Sequence, residues 1–389
     1  MWPRFVSDGA WDAAPLLEEL VRKADDLLGG DDAVLLVDDT APPKKGSASV
    51  GVAPQDASAL GKQADCQTLV SLTPARGELP VTAGLRLFLT DSWTTDPARM
   101  RRAGVPPEFR AARAKPEIAI EEIDRLRAAG LRFGAAPADA GYGLSAPFRQ
   151  ALSARGLRWA FGIPCHRKVY PADVALIFPP RRTRAAAPAS HPRPDVETSG
   201  GDARWCDLAA DVLAPQHQGR AVGSLRGPRL RVADGPAQRI GELGNQHMPG
   251  EEVWLVGEQR ASGERKFHLC NLPAGTPLRA LAATIKARRI REQAHQKLQE
   301  ELGRDHFEGR SWAGLQRHAL MTMIACAFSQ AQRLAAAKGE KPRPPGPPPE
   351  PSLPAVRRAL QQHPFGPHSR RCPHCSRSLS AKFRHVLPR

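Results

Sequence analysis

Apolar residues in the first half of the chain recur with two different periods, which predict helices and strands in alternation. Residues 11–30 carry leucine and valine at spacings of three and four, as in a helix, and a glycine pair ends the run. Residues 34–37 form a short apolar run that predicts a buried strand. Residues 66–72 and 79–90 predict two further strands, and the short turn between them favours an antiparallel meander.

The pattern then alternates between helix and strand. Residues 115–130 predict a helix that ends at a glycine, and the strand after it runs into a turn that contains Asp139. Residues 145–155 predict another helix and residues 157–164 another strand. The resulting order, β-β-β-α-β-α-β, predicts an α/β fold in which a mixed sheet has flanking helices.

The composition changes after this unit. Short apolar runs broken by Gly and Pro predict a β-rich insertion that contains a hairpin at residues 253–272. Thr276-Pro277 is typical of a helix start with threonine as the N-cap, and residues 313–337 predict a second helix. We therefore expect an N-terminal helical segment that is a truncated DNA-binding region (1–30), the first part of the core (31–166), the insertion (167–272), the C-terminal helices of the core (273–338) and a proline-rich linker with a basic tail (339–389).

The charge of the chain narrows the expected partners. It has 56 Lys and Arg against 40 Asp and Glu, a formal charge of +16. This favours a polyanionic partner, either nucleic acid or an anionic membrane surface. The N-terminal residues lack the apolar stretch of a secretory signal, and the apolar run at residues 319–328 is too short to span a bilayer. We expect a cytoplasmic protein with reduced cysteines.

Two of the predicted strands end in aspartate. Asp38 and Asp39 follow the apolar run in the sequence VDDT, and Asp139 follows a later strand. Aspartate is common at strand ends for structural reasons, because it tolerates turns and bonds its own backbone. Sites in α/β sheets, however, collect outside the strand ends, so a third carboxylate would indicate a metal site.

The helix after Pro277 supplies a third carboxylate. At about 100° per residue, Glu292 falls within about 20° of Leu281 and Ile285, on the apolar face that should pack against the sheet. A glutamate on such a face needs a partner. One interpretation is an ion pair with Arg288, four residues earlier. The other is a metal site shared with the aspartates.

Three converging carboxylates are suited to hard cations such as Mg²⁺, which prefer oxygen ligands. Two such ions activate the attacking oxygen and stabilise the leaving oxygen in phosphoryl transfer. The segment KARRIRE places four Lys and Arg residues beside the glutamate. These cations could contact the phosphates of bound DNA, although such a run is also typical of a solvated helix face.

Four stretches, in order, resemble DDE-type insertion-sequence transposases. They are VDDTAPPKKGSASVGV, LTDSWTTDPARMRRAGVP, ADAGYG and RRIREQAHQKLQEELGRDHFEGRSW, and the resemblance covers roughly residues 1–338. It implies an α/β fold with an RNase H-like mixed sheet, flanking helices and a β-rich insertion before the glutamate.

The resemblance also implies roles for particular residues. Asp38, Asp139 and Glu292 would be the catalytic residues and would bind two Mg²⁺ ions, for which Mn²⁺ could substitute. Asp39 would point to the other face of the sheet because side chains alternate along a strand. The expected phosphate-binding and DNA-binding residues are Lys44, Lys45, Arg288, Arg291 and Lys297.

The function implied by the resemblance is cut-and-paste transposition. Such an enzyme hydrolyses the phosphodiester at each end of an insertion sequence and joins the 3′-hydroxyl to target DNA. Its partners would be double-stranded DNA, as terminal inverted repeats and as target, and a second copy of the chain on that DNA. The expected location is the bacterial cytoplasm, at the nucleoid when DNA is bound, with no membrane association.

The chain departs from the family pattern around the glutamate. Where the family usually has Tyr, Trp and Lys, this chain has Ile285, Arg289 and Gln299. These changes leave two alternatives open. One is a non-catalytic, truncated remnant that only binds DNA, and the other is a metal-dependent nuclease that cuts DNA without strand transfer.

The cysteines give a weaker signal. Cys372 and Cys375 form a CxxC pair in the tail, which is half of a zinc site or a chance occurrence in a basic segment. The other five cysteines lie in apolar contexts that predict core positions: Cys66, Cys165, Cys206, Cys270 and Cys326.

Overall fold

The structure is a computed structural model. It describes residues 11–57, 61–164, 169–177, 193–194, 223–239, 245–259, 264–290, 294, 302–303 and 306–337. The strands are β1 (Gly30–Thr40), β2 (Ala53–Ala57), β3 (Lys62–Cys66), β4 (Leu69–Arg76), β5 (Leu79–Pro80), β6 (Gly84–Leu87), β7 (Phe133–Ala138), β8 (Trp159–Ile163), β9 (Val169–Pro171), β10 (Leu176–Ile177), β11 (Arg193–Pro194), β12 (Gly223–Arg239), β13 (Asn245–Gln259) and β14 (Arg265–Cys270).

The described helices flank these strands. They are α1 (Ala14–Leu28), α2 (Asp91–Thr94), α3 (Pro97–Arg102), α4 (Lys115–Ala128), α5 (Ala140–Gly143), α6 (Ala146–Ala154), α7 (Leu278–Lys286) and α8 (Trp312–Ala337). A short 3₁₀ helix covers Pro107–Phe109.

Most of the strands form a single mixed sheet in the order β5-β4-β1-β7-β8-β14-β13-β12-β9, with β6 also paired to β4. β1, β4 and β6 form the antiparallel meander, whereas β1, β7 and β8 run parallel. Parallel neighbours need a crossover, which α4 and α6 provide. The predicted α/β class, with a large mixed sheet and flanking helices, is therefore confirmed.

The β-rich segment extends this sheet. β14 pairs antiparallel with β8, β13 pairs with β14, and β12 pairs with both β13 and β9. The hairpin predicted at residues 253–272 is present as β13 and β14. The domain boundaries expected from composition remain a prediction.

Apolar side chains cover both faces of the sheet. On one face α1, α4, α6 and α8 pack over a large core that includes Leu35 and Val37 of β1 and Phe161 of β8. On the other face α7 buries Leu281 and Ile285 on a smaller cluster. The sheet residues of this smaller cluster are Ala160, Trp254, Val256 and Cys270, and Leu272 follows β14.

Local signals account for both ends of α4. The Glu117 side chain accepts a hydrogen bond from the Ala114 amide at the start of α4 (2.7 Å), and Gly130 follows α4 with φ +93°. This positive φ is the left-handed conformation that glycine tolerates best after a helix. α7 begins one residue later than expected, because Pro277 is its N-cap rather than its first helical residue.

Several elements were not predicted from the sequence, among them the short helices α2 and α3 and one hairpin. β2 and β3 form a small antiparallel hairpin after the VDDT motif, outside the main sheet. The two strands contain no large apolar residue and lack the apolar alternation that would have indicated them.

The apolar run at residues 319–328 lies inside α8, and its residues Leu320 and Met323 are buried in the large core. Among the described helices, none has the length and apolarity needed to cross a membrane. Cys66, Cys270 and Cys326 are buried, as expected. Cys165, Cys206 and the Cys372/Cys375 pair lie outside the described residues.

Candidate active site

The structure brings Asp38 and Asp139 to the same edge of the sheet. Val37 of β1 and Ala138 of β7 are register partners in neighbouring parallel strands. Asp38 comes directly after Val37 and Asp139 directly after Ala138, so the two aspartates lie at the same level of the sheet. Since neighbouring strands lie about 4.8 Å apart, carboxylates at these positions can bind the same metal ion.

The two carboxylates of the VDDT motif lie on opposite faces. Asp39 forms an ion pair with Lys115, at the start of α4 on the large-core side (2.5 Å). Because side chains alternate between the two faces along a strand, Asp38 lies on the α7 side. Asp38 is only 6% exposed. Asp139 follows Ala138, which faces the large core, so alternation places it on the α7 side as well.

A tight turn holds Asp139 in place. Asp139 is the N-cap of α5, and its side chain accepts a hydrogen bond from the Tyr142 amide (3.1 Å). The Gly143 amide donates to the Asp139 carbonyl (2.9 Å). Gly143 packs so closely on β8 that a Cβ there would lie 2.6 Å from the Gly162 carbonyl oxygen. The turn therefore requires glycine at this position.

Arg288 lies beside the same edge. A Cβ on Gly162 of β8 would lie 3.8 Å from an Arg288 guanidinium nitrogen and 3.7 Å from the Ala140 side chain. Because Phe161 pairs with Ala138, Gly162 is level with Asp139 in the next strand. The missing side chain of Gly162 thus leaves space next to the Asp139 turn, and the arginine predicted to contact phosphate lies there.

The third predicted carboxylate, Glu292, lies outside the described residues, as do Arg291 and Lys297. α7 packs on the sheet through Leu281 and Ile285 but ends at Lys286, so the position of Glu292 on the same helical face stays a prediction. Among the residues that the structure describes, no group of three or more His, Cys, Asp and Glu side chains is suited to a metal ion. Asp38 and Asp139 are the two predicted ligands that are described.

The two predicted lysines differ in exposure. Lys44 is half-buried and donates a hydrogen bond to the Phe307 carbonyl (2.5 Å), which ties the segment after β1 to the segment before α8. Lys45 is exposed. Lys45 is therefore the more accessible of the two cations.

Sequence reasoning missed several residues at this edge. Gly162 and Lys115 were not singled out, because their roles depend on strand register and on the packing of α4. His268 was missed as well: it pairs with Gly162 across the β8–β14 ladder, and its Nε2 lies 3.8 Å from the Glu258 carboxylate. No local motif surrounds these residues, so only the order of the strands reveals them.

The amino-acid sequence from residue 3 to residue 236 matches a family model described as DDE superfamily endonuclease. This range is more than half of the chain and includes both aspartates. The chain belongs to this family. The match to the DDE superfamily endonucleases ends before Glu292.

Comparisons with other proteins add little to the family assignment. No match to this DDE superfamily endonuclease is found among curated proteins. One similar solved structure is described as a cryo-EM structure of a piggyBac transposase synaptic complex with hairpin DNA, with a TM-score of 0.39 and 11% sequence identity. The similarity covers 91% of this chain and 59% of that chain, so this chain spans less than two thirds of that transposase.

Proposed function

We propose that this protein is a transposase that cleaves DNA at the ends of an insertion sequence and transfers the strand into target DNA, in a reaction that depends on Mg²⁺. One observation carries the proposal: Asp38 and Asp139 follow register partners of adjacent parallel strands. Membership in the DDE superfamily endonucleases supports phosphodiester cleavage as the reaction class.

The donor set fits a hard divalent cation. Both described ligands are carboxylates on one face of the sheet, and carboxylate oxygens are the ligands that Mg²⁺ prefers. Asp38, Asp139 and Glu292 would hold two Mg²⁺ ions, which supply Lewis-acid stabilisation for phosphoryl transfer. Asp39 is not part of this set, because it lies on the opposite face and pairs with Lys115.

Cations near the carboxylates would hold the phosphates of the DNA. Arg288 lies beside the Asp139 turn and Lys45 is exposed. With Lys44, Arg291 and Lys297 they would contact backbone oxygens, which dominate affinity for DNA. The substrates would be duplexes with terminal inverted repeats and target DNA, bound by two copies of the chain in the bacterial cytoplasm.

The test is cleavage of a labelled duplex that carries the DNA flanking the gene, with Mg²⁺ or Mn²⁺. We expect metal-dependent cuts at the element boundary for the wild type and a loss of at least about 100-fold in Asp38→Asn and Asp139→Asn. The matched control is Asp39→Asn, which changes a neighbouring carboxylate on the other face and should keep cleavage. DNA binding should be equal in all four proteins.

Two outcomes would contradict the proposal in different ways. Binding without any cleavage, equal in the wild type and the variants, would identify a DNA-binding remnant. Metal-dependent cleavage of duplexes that lack element ends, without strand-transfer products, would identify a nuclease.

A further inference from the structure

A buried ion pair links the β-rich segment to the helix that follows the Asp139 turn. Arg149 of α6 contacts the carboxylate of Asp234 in β12, and the two side chains are only 3% and 9% exposed. Two neighbouring contacts strengthen the link: Gln150 donates to the Asp234 carbonyl (2.9 Å) and Ser153 donates to the Glu251 carboxylate of β13 (2.6 Å). One side of α6 is thus fixed to the β12–β13 hairpin.

The hairpin is shaped around Asp234. The β12–β13 register shifts between Ala233 and Ala237, so Asp234 lies in an irregular part of the ladder. A Cβ on Gly250 of the opposite strand would lie 2.0 Å from an Asp234 carboxylate oxygen. Because only glycine leaves this space free, the carboxylate can turn toward Arg149.

The same arginine contacts the Asp139 turn. A second guanidinium nitrogen of Arg149 donates a hydrogen bond to the Gly143 carbonyl, the last residue of α5. Asp139 caps that turn through the Tyr142 amide, and the Gly143 amide returns to the Asp139 carbonyl. One guanidinium therefore bridges the β-rich segment and the backbone that carries Asp139.

The geometry points to Arg149 as a positioning residue: we propose that the β12–β13 hairpin, through Asp234 and Arg149, holds the Asp139 turn in the form that binds metal. This inference rests on the proposed function for its catalytic consequence. Breaking the pair leaves a buried charge without its partner, so the arginine would move and release the Gly143 carbonyl. In the intact protein, metal binding therefore depends on the contact between the β12–β13 hairpin and α6 as well as on the carboxylates that would bind the metal.

The test compares Asp234→Asn with Asp124→Asn. Asp124 is the matched control because its carboxylate pairs with Arg155 (2.7 Å), the residue that follows α6 and lies at the opposite end of that helix from the Asp139 turn. In Asp234→Asn we expect faster amide hydrogen exchange in residues 138–144. We also expect half-maximal cleavage to need about tenfold more Mg²⁺, with the rate restored at saturating Mg²⁺. Asp124→Asn should change neither quantity.

Arg149→Lys provides a second variant if Asp234→Asn does not fold. It keeps the charge pair, but one ammonium group replaces the planar fork that meets both acceptors, so a smaller shift in the same direction is expected. Unchanged exchange and Mg²⁺ dependence in the folded variants would overturn the inference. So would a loss of rate that saturating Mg²⁺ does not restore. If the wild type does not cleave DNA, the proposed function fails, whereas the exchange measurement still decides whether the hairpin holds the turn.

Discussion

Asp38 and Asp139 lie side by side because Val37 and Ala138 pair in register between two parallel strands. The carboxyl ends of parallel strands meet at one edge of a sheet, and the crossover through α4 carries the chain back to the opposite edge, from which β7 runs parallel to β1. The antiparallel neighbour β4 cannot provide this arrangement, since it ends at the opposite edge. The candidate site therefore depends on strand direction as much as on residue type.

Asp139 has a structural function that can be separated from metal binding. Asp139→Ala removes the side chain that caps the Tyr142 amide, whereas Asp139→Asn keeps an acceptor there. We expect both variants to lose cleavage. Only the alanine variant should lose about 1 kcal/mol of unfolding free energy, measured by urea denaturation. Equal stability of the two would show that the cap contributes nothing.

The space at Gly162 should matter more to cleavage than to folding. Gly162→Ala places a methyl group at ordinary contact distance from Ala140 and Arg288, so folding and cleavage should be close to those of the wild type. Gly162→Val adds two methyl groups and should displace the guanidinium of Arg288. We expect a tenfold to hundredfold loss of cleavage rate, measured at saturating Mg²⁺, with little change in melting temperature. Full activity of the valine variant would contradict a role for Arg288 at this edge.

The ion pair between Asp25 and Arg132 should make stability depend on pH. Burial opposes ionisation of Asp25, but hydrogen bonds from the side chain and backbone of Arg132 outweigh it, and the pKa of Asp25 lies below its ordinary value of 3.8. A lowered carboxyl pKa stabilises the fold above the ordinary value, and that stability is lost as pH falls through the folded-state pKa.

Asp25→Asn should therefore be less stable than the wild type at pH 7 by about 1 kcal/mol, with the difference shrinking below about pH 4. The measurement is urea unfolding at several pH values. Asp26→Asn is the control, because the Asp26 side chain is 54% exposed and its pair with Arg22 lies on the surface. A difference that stays constant with pH would contradict an ionised Asp25 as the source.

Cys270 should be inert toward thiol reagents in the folded protein. Burial raises the pKa of its thiol to about 12. At pH 8 only about one molecule in ten thousand would carry the reactive thiolate. We expect no alkylation by iodoacetamide over hours, with complete alkylation in denaturant, as measured by peptide mass spectrometry. Rapid labelling of the native protein would show that the cluster under α7 opens readily.

The strength of each local signal explains how much of the fold could be predicted. The period of apolar residues located α4, β7 and α8, because each buries a regular stripe or an apolar run. The same reasoning missed the β2–β3 hairpin, whose strands contain no large apolar residue. It also could not show that β14 pairs with β8 and carries the β-rich segment into the main sheet, because pairing partners far apart in sequence leave no local pattern.

The sequence by itself determined which residue types are available for the proposed site: aspartates at two strand ends, a glutamate in a segment predicted to be helical, and an excess of Lys and Arg. The tertiary structure alone decided how they combine. Strand register placed Asp38 level with Asp139, alternation directed Asp39 to Lys115, and the missing side chain of Gly162 left room for Arg288. These relationships join residues remote in the chain, so they follow from packing of the whole sheet and not from any local preference.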